Sequence, residues 1–229
     1  VRRNPEVRGN DGALVPVAET LTGDVEQANL TLSDEDVERL AGHIDFVIHC
    51  AASVRFDLSD AEYEAVNVGG TANTIALAER LGAKLLHVST AYVCGTRDGP
   101  ILEDDPLPGP GDFANGYEAS KAAGEWLVGS SSIEWAIARP GIVLGEYDSG
   151  RIRQFDALYV AFKLIAEGRI RQVPAGAEAT LGFVPLDHVA GGIVALVENW
   201  EQAKGGTYHL VSSGPLPKAE FARGVGSID

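Results

Sequence analysis

Tyr117 and Lys121 stand four residues apart in a stretch whose composition suits a helix, YEASK. Positions four apart in a helix lie on one face, so the phenol and the ammonium can share one small volume. A free phenol ionises near pH ~10, and a close ammonium would favour the phenolate and lower its pKa. The pair therefore predicts a general acid or base at Tyr117, although the same spacing is also common on solvated helix faces.

An apolar run precedes this helix in the sequence and ends in two hydroxyls. The run Lys84–Val88 (KLLHV) is followed at once by Ser89 and Thr90. A strand that delivers a hydroxyl, then a loop, then a helix with Tyr and Lys resembles the short-chain dehydrogenase/reductase superfamily. The resemblance implies a catalytic trio of Thr90, Tyr117 and Lys121. Thr90 is preferred to Ser89 because the hydroxyl used in extended members stands five residues before the glycine that closes this motif, here Gly95.

Further motifs sharpen the resemblance. The stretch 49–57 (HCAASVRFD) looks like the thioester reductase and fatty acyl-CoA reductase branch of the extended members, which carry a male-sterility-type NAD-binding domain. Asn67 begins NVGGT, residues 139–145 read RPGIVLG, and residues 181–189 read LGFVPLDHV, each similar to a family segment. In the family, the matching asparagine helps to order the catalytic site, and the loop that matches RPGIVLG lies beside the nicotinamide.

The elements around these residues alternate between strand and helix patterns. Asp45–Cys50 reads as a strand buried on both faces, and 59–81 shows helical spacing. We expect the catalytic helix over 114–130, a strand over 133–138, and a flap beside the substrate mouth in the Pro-rich loop 92–113. The predicted fold is α/β, a Rossmann-like doubly wound parallel sheet. Residues 1–145 form the NAD(P)-binding core and 146–229 a small C-terminal substrate-binding region.

Cofactor contacts are predicted at the ends of these strands. Arg2 and Arg3 follow what reads as the tail of a strand, where basic residues accommodate the 2′-phosphate of NADP, so NADP is predicted, with NAD as the alternative. An ordinary surface pair is the other interpretation of these arginines. By resemblance Asp24 reaches the adenine, although it also suits a plain turn. The other residues predicted to bind the cofactor are Val25, Cys50, Ala51, Ala52, Asn67, Ser89, Tyr117, Lys121, Pro140, Gly141, Ile142 and Val143. No metal site is predicted, because a lone His49 at a strand end is expected to be a core residue.

Charge and cysteine content exclude several functions. The net charge of −15 disfavours nucleic-acid and membrane surfaces. Only two cysteines occur, Cys50 and Cys94, which suits a reducing compartment, and we predict a cytoplasmic protein. The sequence contains no run of 18 or more apolar residues, so no membrane span is expected.

The sequence has the pattern of a fragment. It contains no Met, and no Gly-rich phosphate-binding loop stands between a strand and a helix. In a Rossmann sheet the first strand is central, so its loss would leave two buried edges unpaired. We therefore expect this polypeptide alone to fold poorly and to bind no cofactor. The last residues, 218–229, look like a helix that is cut short.

The resemblance implies NADPH-dependent reduction of an acyl thioester or related carbonyl. The substrate would be a small molecule or a carrier-bound acyl group. A homodimer is one possible assembly. The stretch 151–171 has five basic and two acidic residues, a balance of 5 − 2 = +3, which is either a solvated helix face or a site for the phosphates of coenzyme A or a carrier arm. The alternatives are a nucleotide-sugar epimerase or dehydratase, a 3-beta-hydroxysteroid-type dehydrogenase, and a non-catalytic dinucleotide sensor.

Overall fold

A four-stranded parallel sheet is the centre of the computed structural model. The structure describes residues 20–55, 57–152, 159, 163–165, 167, 169, 180–214 and 216–217. The eight strands in these residues are β1 (Phe46–His49), β2 (Lys84–Val88), β3 (Trp135–Pro140), β4 (Ile142–Leu144), β5 (Thr180–Leu181), β6 (Phe183–Pro185), β7 (Thr207–Leu210) and β8 (Leu216–Pro217). The main sheet has the order β1-β2-β3-β7, and each neighbouring pair is parallel.

Helices connect these strands. Those with both ends in the described residues are α1 (Asp34–Leu40), α2 (Asp60–Tyr63), α3 (Gly70–Leu81), α4 (Gly116–Gly129), α5 (Leu186–Glu198) and α6 (Trp200–Ala203). A π-helical segment, Glu64–Gly69, joins α2 to α3, and short 3₁₀ turns occupy Ala28–Thr31 and Ala91–Cys94. Ser33 caps α1 by accepting a hydrogen bond from the Asp36 amide, which is the cap expected from an oxygen-bearing side chain at this position.

Alternating side chains of the sheet are buried on both faces. Leu85 and Ile137 pack with Val128 of α4, whereas Leu86 and Ala136 belong to a second cluster with Trp200 and other residues of α5 and α6. Successive strand residues point to opposite faces, so helices must cover both sides. The predicted doubly wound α/β architecture is therefore confirmed.

Two smaller ladders flank the sheet. Strands β4 and β6 pair in parallel, and β5 pairs with β8 in the antiparallel sense. Strand β7 comes from the predicted C-terminal region, yet it completes the main sheet beside β3. The division at residue 145 stays a prediction. The segment 1–3, predicted as the tail of a strand, and the predicted helix start at 218–229 lie outside the described residues.

Candidate active site

Three of the predicted site segments follow parallel strands and therefore emerge at one edge of the sheet. Cys50 follows β1, Ser89 follows β2, and Gly141 follows β3. The strands run side by side in register, and the Ser89 amide still donates to the Ala138 carbonyl over 2.7 Å. Ligands of open α/β sheets bind outside the carboxyl ends of such strands.

The start of helix α4 is fixed by its own cap and by a close contact. Asn115 Oδ1 accepts from the Glu118 amide over 3.0 Å, and Glu118 in turn accepts from the Ala114 amide over 3.0 Å. A Cβ at Gly116 would lie 2.7 Å from the Tyr63 ring, so only glycine allows this approach. The helix thereby begins just before Tyr117 and carries Lys121 one turn later.

The side chain of Thr90 interacts with the phenol of Tyr117 and favours its ionised form. Thr90 is only 5% exposed, and its Oγ1 also accepts from the Tyr92 amide over 3.3 Å. The predicted lowering of the Tyr117 pKa by Lys121 is wrong for this structure. Burial raises the pKa of Tyr117, because the phenolate loses solvent, and the interaction with Thr90 opposes that rise only in part.

Lys121 is buried against the sheet. It is 3% exposed, and its Nζ donates to the Val88 carbonyl over 2.8 Å and lies 3.5 Å from His87 Nε2. Burial lowers the pKa of Lys121 to about 8, and the Glu125 carboxylate, one turn further along α4, opposes this shift. The Lys121 side chain therefore exchanges its proton near pH 8, between the charged ammonium and the neutral amine.

Asn67 connects three segments of the site. Its side chain accepts from the Ser53 amide over 2.8 Å and donates to the Ser53 carbonyl and to Ser120 Oγ, over 3.1 and 2.9 Å. The residue lies in the π-helical segment and is 2% exposed. It thus ties the segment after β1 to α4, next to Lys121.

Two polar side chains have hydrogen-bonding capacity left for a bound dinucleotide. Ser89 Oγ is buried and has no hydrogen-bond partner among the described residues. Lys121 has three N–H donors, and within the described ranges only the Val88 carbonyl and His87 Nε2 face it as acceptors. A ribose or carboxamide oxygen would satisfy either group, so the residues at this edge are suited to NAD or NADP.

The segment after β3 is held close to its neighbours. Pro140 is the last residue of β3 and is buried. The Gly141 amide donates to the Leu210 carbonyl over 3.2 Å, and a Cβ at this position would lie 2.6 Å from the Gly182 carbonyl oxygen. Ile142 and Val143 continue into β4. These predicted nicotinamide-side residues therefore lie at the same sheet edge as Ser89.

The other residues predicted to bind the cofactor make no hydrogen bond to Thr90, Tyr117 or Lys121 among the contacts described. Cys50 and Ala51 are exposed and Ala52 is half-buried after β1. Asp24 has an exposed side chain that accepts from the Glu26 amide over 3.0 Å, which is a turn contact. The Val25 carbonyl accepts from Asn73 of α3. Arg2 and Arg3 lie outside the described residues, as does most of the basic stretch 151–171.

The structure adds residues that the sequence motifs did not indicate. His87 lies beneath Lys121, and Ser120 and Ser53 are the partners of Asn67. The only sequence signal was that His49 and His87 fall within apolar strand runs. His49 is 4% exposed and faces Thr71 and Thr74 of α3, in keeping with a core residue.

Within the part of the chain that the structure describes, no helix combines the length and the apolar character needed to cross a bilayer.

The parallel sheet, the site at its carboxyl edge and the Tyr-x-x-x-Lys helix define an NAD(P)-binding Rossmann domain of the extended short-chain dehydrogenase/reductase class. The family model described as "Male sterility protein", an NAD-binding domain, matches residues 14–193. The chain belongs to this family.

Several named relatives of the chain are reductases. It is 26% identical over 206 residues to aldehyde reductase lnaA of Aspergillus flavus, covering 83% of this chain and 19% of that protein. It is 29% identical over 207 residues to fatty acyl-CoA reductase 1 of Xenopus laevis, covering 76% and 40%. Glycine betaine reductase ATRR of Emericella nidulans is 29% identical over 228 residues, covering 94% and 17%. The chain thus spans less than half of each.

Solved structures show the same fold. The terminal R domain of the myxalamid PKS-NRPS biosynthetic pathway superposes with a TM-score of 0.78 at 33% identity, covering 88% of this chain and 52% of that one. UDP-glucuronic acid 4-epimerase from Bacillus cereus superposes with a TM-score of 0.66 at 22% identity, covering 85% and 61%, a likeness of fold alone.

Proposed function

We propose that the protein containing this chain reduces an acyl thioester, or a related carbonyl, with NADPH. The observation that carries the proposal is the placement of Thr90 after β2, at the carboxyl edge of the sheet, beside Tyr117, with Lys121 buried one helical turn away. The reductase names of the relatives support a carbonyl substrate, and the R domain supports one held on a carrier. The substrate is a small-molecule or carrier-bound acyl group.

The chemistry assigns a separate task to each side chain. NADPH, when bound, supplies the hydride for the acyl carbon. Thr90 donates a hydrogen bond to the oxygen on which negative charge develops, and Tyr117 gives that oxygen its proton. The raised pKa of Tyr117 suits this direction, because it keeps the phenol protonated before the reaction. Lys121 directs its remaining N–H toward the cofactor ribose.

A thioester would leave the site as an aldehyde. Hydride adds to the carbonyl carbon and the oxygen takes a proton, which gives a hemithioacetal. That species then breaks its C–S bond, and the products are one aldehyde and one thiol. The net change is a two-electron reduction, so one NADPH is consumed for each thioester.

NADP rather than NAD is the proposed cofactor, on the strength of Arg2 and Arg3 in the sequence. The comparison structures include both an epimerase with NAD and a reductase with NADP. The homodimer and the cytoplasmic location also stay predictions. Side-by-side titration with NADPH and NADH distinguishes the cofactors, and a preference of less than about threefold would remove the role given to the arginine pair.

The test of the function is NADPH oxidation by the full-length protein, followed by absorbance against acyl-CoA thioesters, aldehydes and UDP-sugars. Oxidation with a thioester, and release of one thiol per NADPH, is the expected result. Oxidation with aldehydes alone would restrict the activity to the reduction of an aldehyde to an alcohol. Tight NADPH binding with oxidation by none of them would refute the proposal and favour an epimerase-like cycle or a sensor.

A further inference from the structure

Two histidines lie inside the sheet beneath Lys121, and the proposed reduction uses neither. His49 and His87 are register partners on β1 and β2, and their ring centroids are 5.3 Å apart. They are 4% and 0% exposed. Both point to the face covered by α3 and α4, since His87 is two residues from Leu85, which packs on α4.

While Lys121 is charged, the direction of its hydrogen bond with His87 is fixed. An ammonium donates and never accepts, so His87 Nε2, 3.5 Å from Lys121 Nζ, must be the acceptor. A neutral imidazole that accepts at Nε2 carries its proton on Nδ1. Burial, and then the nearby Lys121, hold the pKa of His87 well below its usual range, which keeps the ring neutral.

His87 is fixed in place by the packing around it. Helix α4 crosses the ring so closely that a Cβ at Gly124 would lie 3.5 Å from His87 Nε2 and 3.3 Å from Thr71 Oγ1. On the other side, His49 is held between Thr71 and Thr74, with nitrogen-to-oxygen distances of 3.3 and 3.4 Å. The His87 ring therefore cannot rotate away from Lys121 unless helix α4 or His49 also moves.

The His87 position also carries an unsatisfied polar atom. His87 Nδ1 has no hydrogen-bond partner among the described residues. A buried N–H without a partner costs about 1 to 3 kcal/mol, so an apolar side chain of similar volume would stabilise this part of the core. The acceptor at Nε2 is the feature of histidine that such a side chain would lack.

We propose that His87 is a positioning residue for Lys121: the neutral imidazole, protonated on Nδ1, accepts the ammonium at Nε2 and with the Val88 carbonyl holds Nζ at the sheet edge. The link to turnover rests on the proposed reductase function, whereas the contact itself does not. The titratable groups around Lys121 are His87 and His49 on the strands, Cys50 after β1 and Glu125 on α4.

The first test compares three variants by the pKa of Lys121. His87→Leu removes the acceptor, His87→Gln places an amide oxygen near the Nε2 position, and Thr74→Val changes the same cluster without touching Lys121. The full-length protein is labelled with ¹³C at lysine Cε and titrated by NMR. The loss of one signal in Lys121→Arg assigns the resonance among the five lysines of the 229-residue sequence and any others in the full-length protein.

His87→Leu should lower the pKa of Lys121 by about one unit from about 8, because the charged form loses a hydrogen bond. His87→Gln and Thr74→Val should stay near 8. An unchanged value in His87→Leu would overturn the proposal. It would also be overturned if Thr74→Val or His87→Gln shifted the value as far as His87→Leu, because the effect would then reflect general packing.

A second measurement needs no variant and covers a failure of His87→Leu to fold. Two-dimensional ¹⁵N NMR of the histidine rings reports the tautomer directly, and His87 should show Nδ1–H and an unprotonated Nε2 at neutral pH. Protonation on Nε2 would overturn the contact. If a thioester is reduced, the alkaline limb of kcat should move with the pKa of Lys121 in His87→Leu. If no substrate is reduced, the function fails while the NMR results still decide the role of His87.

Discussion

The side-chain amide of Asn67 donates to Ser120 Oγ over 2.9 Å, and this contact joins the π-helical segment to helix α4. Through the same side chain, the amide and carbonyl of Ser53 are bound after β1. One buried residue therefore sets the distance between the two walls of the candidate site. The π-helical turn around Asn67 is consistent with these contacts, because such turns frequently occur at functional sites.

Replacing Asn67 by alanine should loosen both walls. Two backbone groups of Ser53 would lose their side-chain partner, and Ser120 Oγ would keep only its bond to the Tyr117 carbonyl. We therefore expect a loss of about 3 kcal/mol in the free energy of unfolding, and weaker NADPH binding. Urea denaturation and NADPH fluorescence titration measure the two effects. Asn199→Ala is the control, because that exposed side chain makes a single local contact with Ala195. Equal behaviour of the two variants would contradict the connecting role.

Removing the phenol hydroxyl should stop turnover and leave cofactor binding intact. Tyr117→Phe keeps the ring that fills the site but has no proton to give, so kcat should fall by about 10² to 10⁴. Single-turnover kinetics and NADPH titration on the same preparation separate the two quantities. Tyr208→Phe serves as the control, since that exposed hydroxyl bonds only the Gln202 carbonyl among the described contacts. Turnover of Tyr117→Phe equal to that of the unsubstituted protein would exclude Tyr117 as the acid.

Activity and stability should respond to alkaline pH in opposite directions. Lys121 has a folded pKa of about 8 against an ordinary 10.5, so it is charged below pH 8 and loses its proton above it. Cofactor binding and turnover that need the ammonium should fall with a midpoint near pH 8. Between about pH 8 and 10.5 the unfolded chain binds more protons, so the contribution of Lys121 to stability rises with pH. A flat rate profile across this range would remove the ammonium from the mechanism.

The sequence predicted the parts of this site that depend on local order. The spacing of Tyr117 and Lys121 on one helix and the strand that delivers Thr90 both follow from periodicity and side-chain type. The direction of the Lys121 side chain does not, because it depends on His87 and the Val88 carbonyl of a strand more than 30 residues away in the chain. The pKa of Tyr117 was predicted in the wrong direction for a related reason, since burial exceeds the effect of a single neighbour.

Acid should destabilise the fold through the buried histidines. Burial, and then Lys121, lower the pKa of His49 to about 4 from 6.5, so the unfolded chain binds more protons between these values. Stability present above pH 6.5 should therefore be lost as the pH falls toward 4, by about 3 kcal/mol for this residue. His49→Gln should reduce the loss between pH 7.5 and 5 in urea titrations. Exposed His43→Gln is the control, and an equal acid response in the two variants would show that other groups cause the loss.

Removing one partner of the Arg139–Glu125 ion pair should destabilise the fold strongly, whereas replacing both partners with apolar side chains should change its stability little. The guanidinium makes contacts of 3.0, 3.2 and 2.7 Å to the carboxylate, and the two side chains are 5% and 2% exposed. Arg139→Met leaves a buried unpaired carboxylate, so we expect a loss of about 3 to 5 kcal/mol in urea denaturation. The double variant Arg139→Met with Glu125→Leu should recover most of it. Glu125→Leu should also lower the pKa of Lys121 further, because this carboxylate raises it. Additive losses in the double variant would show that the pair is not coupled.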